Sequence, residues 1–209
     1  MTYNLKLNFT SSALTTLAAQ NKKIVVVKES NEPSPISGAT IAWFTTQPFQ
    51  QVKITWENDF YLYATQTEFK AGAVIDKSSS SDNSVVDGSF RYNFGPDAAI
   101  FQSEAYSGSN GTVYMKNLFT DGFFTAFGLA QKISSGSKTV INPINAVKGI
   151  YNDNIAFTPI EKIRVFMQAN IQDSKVLTEI TSDPIKLDFT GKTEQEIVYN
   201  EAKNIFVLK

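Results

Sequence analysis

The chain of 209 residues contains neither cysteine nor histidine. That excludes disulfides, thiolate or imidazole metal sites, and Ser-His-Asp or Cys-His catalysis. It also removes the side chain that titrates near neutrality. Arginine occurs only at Arg91 and Arg164, so lysine supplies nearly all of the 19 basic side chains. Against 20 carboxylates these leave a formal net charge of −1, with no basic half and no acidic tail. A nucleic-acid surface concentrates Arg and Lys on one face, and no such cluster occurs here, so no nucleic-acid partner is expected. Neither glycine-rich phosphate-loop pattern is present, and no nucleotide or other cofactor is expected. No apolar run approaches the roughly 20 residues of a spanning helix. The opening Met1-Thr2-Tyr3-Asn4-Leu5-Lys6 lacks the basic and apolar regions of a signal peptide, so the expected residence is cytoplasmic, or release without a signal.

What the chain has in quantity is period-two alternation. Leu5, Leu7 and Phe9 alternate with polar residues, as do Val52, Ile54 and Trp56, then Phe90, Tyr92 and Phe94. The same pattern returns in Ile163, Val165, Met167, Ala169 and Ile171, and in Ile185, Leu187 and Phe189. Successive strand side chains point to opposite faces, so each run describes a strand with one wet and one buried side, the antiparallel signature. Ile24-Val25-Val26-Val27 is too β-branched for a helix and suits a strand buried on both faces. Asn110-Gly111 and Asp121-Gly122 predict tight hairpin turns, and Asp87-Gly88, Ser135-Gly136 and Thr190-Gly191 further turns. Lys77 to Ser84 reads as a mobile polar loop, and Pro33 and Pro35 flank another. One helix is predicted near residues 11–20: hydroxyl caps at Thr10-Ser11-Ser12, Leu14, Leu17 and Ala18 at helical spacing, and Asn21 as terminator. The expected fold is a single all-β domain over 1–209, an antiparallel two-sheet β-sandwich, with the jelly-roll among its forms, and one short N-terminal helix.

The densest polar-aromatic segment runs from Trp56 to Tyr63. If Glu57-Asn58-Asp59 is a turn, two strands meet there; if it is continuous strand, Glu57, Asp59, Tyr61 and Tyr63 share one face. A sugar is held by aromatic planes against its C–H faces and carboxylates against its hydroxyls. Trp43, Trp56, Tyr61 and Tyr63 are therefore candidate stacking surfaces, with Glu57 and Asp59 as acceptors. Phe123, Phe124 and Phe166 break the wet-side pattern and are candidates for a partner or membrane surface. Glycosidase chemistry needs two carboxyls, for which Glu57, Asp59, Glu68 and Glu104 are available. Asn152-Asp153-Asn154 and Asp82, Asn83 and Asp87 offer oxygen ligands but match no calcium-loop spacing, so no metal site is assigned. With catalytic motifs absent, the expected function is non-catalytic binding or self-assembly, with a carbohydrate as the sharper ligand. A membrane-active toxin-like protein is the alternative, and a carboxylate-based glycosidase a further one. Open sheet edges and a near-zero net charge also point to self-association as a homo-oligomer.

Overall fold

A computed structural model describes residues 1–32, 36, 39–120 and 122–209. Pro33, Pro35 and Asp121 lie outside the described residues. In chain order the elements are β1 (Thr2–Asn8), α1 (Ser11–Ala19), β2 (Lys22–Ser30), β3 (Thr40–Ile41), β4 (Phe44–Thr46) and β5 (Gln51–Thr65). Then come β6 (Ser79–Ser80), β7 (Phe90–Phe94), β8 (Phe101–Ala105), β9 (Val113–Asn117), β10 (Ala126–Ser135), β11 (Lys138–Pro143) and β12 (Val147–Lys148). The remainder are β13 (Asn154–Phe157), β14 (Pro159–Ala169), β15 (Val176–Leu177), β16 (Ile185–Asp188), β17 (Glu194–Asn200) and β18 (Ile205–Leu208).

Among the described residues the fold is mostly β, with several sheets, one helix and no closed barrel. The largest sheet runs β11-β10-β5-β1-β17-β18, with β12 beside β10 and β6 beside β5. Two four-stranded sheets run β16-β14-β2-β4 and β13-β9-β7-β8, and β15 pairs with β3. The sheets are mixed rather than purely antiparallel. β1 runs parallel to β17, and β7 runs parallel to β9. Alternation reports which side of a strand is buried, not the direction of its neighbour.

One core joins the three larger sheets: Leu5, Ile54, Leu129 and Ile197 from the first, Ile24, Val26 and Val165 from the second, Phe94, Met115 and Phe157 from the third. Thr10 caps α1, its hydroxyl accepting from Ala13 N at 3.2 Å, and the helix lays Ala13 and Leu17 on this core. Asn21 ends it with φ +49, where its N–H reaches Ala18 O at 3.0 Å. β2 is buried on both sides, Ile24 and Val26 in the main core and Val25 and Val27 in a second cluster.

Two local expectations need correction. Asn110-Gly111 does not close a hairpin, because β9 pairs with β7 and β13 rather than with β8. The tight hairpin sits at Gly136-Ser137, where Ser135 and Lys138 pair and Gly136 has φ +58. The serine run is stitched along β5 rather than free: Ser78 N and Ser81 N donate to Ala64 O and Leu62 O, and Ser79 Oγ donates to Ala99 O at 2.6 Å. Hydroxyl-rich chain can do this because each Ser adds a donor and acceptor to those of its backbone.

Candidate ligand-binding site

β5 is continuous through Glu57-Asn58-Asp59, but its register against β10 shifts there, from Trp56 opposite Ile133 to Phe60 opposite Gln131. This bulge does not gather the six expected ligand residues. Trp56 faces the main core and is stacked on Tyr3 at 5.5 Å and edge-on to Trp43 at 5.8 Å and Phe189 at 4.8 Å. Trp43 is fully buried, its Nε1 donating to Gln131 O at 3.1 Å. Tyr63 points to the opposite side of β5, buried with Ala126, Ala130 and Ile75, its hydroxyl donating to Asn145 O at 2.6 Å. Burial pushes that phenol well above its usual pKa. No face of Trp43, Trp56 or Tyr63 is open to a sugar. Only Glu57, Asp59 and half-buried Tyr61 keep access to water, with Glu57 accepting from the Thr2 hydroxyl.

The expected apolar surface divides in the same way. Phe166 is buried against Val25, Val27 and Leu177, because β14 carries a second covering layer on that side. Phe124 is buried against Phe94 and Phe119, at 4.8 and 5.1 Å. Phe123 is 62% exposed. Ile150 and Tyr151 are exposed at the rim of a small hollow that Phe119 and Phe124 also line. Neither residue carried a sequence signal, since both lie in the loop after Gly149 and outside any alternating run.

Of the glycosidase candidates, Glu68 pairs with Lys70 at 2.7 Å and Glu104 with Arg91. The Lys70 hydrogen bond holds the Glu68 carboxyl below its usual pKa, and hydrogen bonds from Asn93 and then Arg91 do so for Glu104. A general acid needs the opposite shift. Among the described residues no three metal-ligating side chains cluster. Asp153 instead accepts from Ile150 N at 2.8 Å, and Asp87 from Gly111 N.

What the fold does assemble is a cleft of about 600 Å³ at the end where the chain leaves β4 and enters β5. Phe49 stands on the connecting loop, 63% exposed. Gln47 and Gln51 flank it, and Thr45, Thr46, Ser135 and Ser137 add hydroxyls to the walls. Lys23, Lys53 and Lys138 line the same cleft, and among the described residues no carboxylate does. Lys138 crosses from the Gly136-Ser137 hairpin to β4, donating to Thr45 O at 2.7 Å, pairing with Asp173 at 2.8 Å and lying 4.5 Å over the Phe44 ring. Asp173 also accepts from Thr45 N and Oγ1, at 2.7 and 2.8 Å. Lys23 donates to Ile171 O at 3.2 Å.

A second cleft, of about 390 Å³, is lined by Lys28, Glu29, Glu32 and Arg164 over an apolar base that includes Phe69 and Ile144. Its charges are answered within the protein. Lys28 Nζ meets Glu161 at 2.7 Å, Arg164 Nε lies 3.5 Å from Glu29, and Glu32 accepts from Asn145 Nδ2 at 3.0 Å. Burial drives the Lys28 ammonium below its ordinary pKa, and Glu161 opposes that shift. No family model, curated protein or solved structure matches this chain.

Proposed function

We propose that the protein is a non-catalytic carbohydrate-binding module whose ligand site is the cleft beside Phe49. The supporting observation is an exposed aromatic ring on a wall of amides and hydroxyls, Gln47, Gln51 and Ser137 among them. An aromatic face covers the C–H side of a sugar ring, and amides supply donor and acceptor together to its hydroxyls. Trp43 and Trp56, the first candidates for stacking, belong instead to the main core. The scaffold we read is a single-domain two-layer sandwich, its largest sheet facing the two four-stranded sheets over their shared core.

The test is a glycan array with wild-type protein and Phe49→Ala. Phe49 is exposed, so the variant should melt with the wild type while losing its glycan signal. Retained binding by Phe49→Ala, or no binding by the wild type, would overturn the reading. A second reading, attachment to a partner or lipid surface, is favoured by exposed Phe123 and by exposed Ile150 and Tyr151 at the rim of the Phe119–Phe124 hollow. Liposome co-sedimentation lost on Phe123→Ser would support it, and no sedimentation by the wild type would dismiss it.

A further inference from the structure

We infer that the Phe49 cleft selects acidic glycans, those carrying uronate or ester sulfate, over neutral ones. This rests on the carbohydrate reading above and goes on to name the ligand's charge. In a chain with slightly more carboxylates than cations, three lysines and no carboxylate line this cleft. The three are not equivalent. Lys138 is half-neutralised by Asp173 and ties β4 to the β10–β11 hairpin. Lys23 shares its ammonium with Ile171 O but faces no carboxylate there.

Lys53 is exposed on β5 and, among the described residues, its ammonium has neither ion pair nor hydrogen bond. Its cross-strand neighbour on β1 is Lys6, whose charge is taken by Glu194. Lys53 is thus a cation kept in place by strand backbone and left for an incoming anion. An ammonium is a compact, strongly hydrated point charge, so it selects for charge without demanding one fixed carboxylate orientation. Such attraction is screened by salt. The sugar ring's contact with Phe49 is not, which separates the two contributions experimentally.

The experiment uses full-length protein and two calorimetric titrants, a galacturonate hexamer and its methyl ester, which share rings and differ in charge. The acid form should bind about tenfold more tightly in 50 mM salt, with the preference largely lost at 0.5 M, where the screening length is a few ångströms. Lys53→Gln should narrow the acid-over-ester ratio at least threefold, and Lys53→Glu should invert it. Equal affinity for acid and ester, or a ratio unmoved by both Lys53 substitutions, would overturn charge selection while leaving glycan binding standing. If neither hexamer nor any array glycan binds, the carbohydrate reading falls and the charge selection with it.

Discussion

The two clefts share β2, Lys28 lining one and Lys23 the other, and treat charge in opposite ways. Around Lys28 every cation has an internal carboxylate, Glu161 for Lys28 and Glu29 for Arg164, and the walls spend their polarity on each other. Around Phe49 the lysines outnumber the acids, and among the described residues Lys53 has neither ion pair nor hydrogen bond. A charge paired internally holds a seam together, whereas a charge left over receives something from outside. The contrast yields a ranked set of expectations.

The largest effect belongs to the floor of the seam. Trp43 lies fully buried against Trp56, with Lys28 Nζ 5.9 Å from its ring. Trp43→Ala should cost about 3–5 kcal/mol in urea denaturation. A loss below ~1 kcal/mol would show that this indole is not a core support.

Next comes the seam's ion pair. Glu161→Ala leaves the Lys28 ammonium buried without a partner, and should cost about 3 kcal/mol because Glu161 itself is only 18% exposed. Its pH dependence has a definite sign. The unfolded lysine keeps its proton up to about 10.5, while the folded one releases it earlier. Between those two values the unfolded state binds more protons, so stability rises with pH. Denaturation at pH 7 and pH 10 should therefore show wild type gaining on Lys28→Met as pH increases; equal changes in both would mean the shift is absent.

Smaller effects are expected at the open cleft. Lys138→Ala loses an ion pair and the Phe44 contact and should cost about 1 kcal/mol, Asp173 keeping its Thr45 hydrogen bonds. Lys53→Ala should stay within about 0.5 kcal/mol of wild type. Should Lys53→Ala prove more damaging than Lys138→Ala, the distinction between a seam and a receiving surface would be lost.

The helix was legible because the Thr10 cap and helical spacing are local features, although its buried face is Ala13 and Leu17 and the expected Ala18 is exposed. β2 was legible because Ile24–Val27 has no polar side. The alternating runs at Leu5, Ile54, Tyr92 and Ile163 also fell on strands. What the sequence hid is what lies over each face. Tyr63 and Phe166 looked available only because the β3–β15 layer and its loops, far off in the chain, could not be foreseen covering them. The Phe49 cleft was invisible for a related reason. Lys23, the Phe49–Lys53 stretch and Lys138 are far apart in the chain, and none has a motif of its own. Gly128 shows how tight such long-range cover is: a Cβ there would meet Asn145 O at 2.2 Å and the Tyr63 ring at 2.6 Å.

The parallel union of β1 with β17 sets a timetable for the nascent chain. β5 reaches β1 early in synthesis, antiparallel through Thr2–Asn8. The other edge of β1, from Asn4 to Asn8, must wait for Glu194 to Val198 to leave the ribosome. Until then a run containing Leu5 and Leu7 presents unpaired backbone to any neighbouring strand, in the way that templates aggregation. Ribosomes stalled before residue 194 should therefore release chains that clump, and the finished protein should fold slowly, since β17 closes the widest loop on β1.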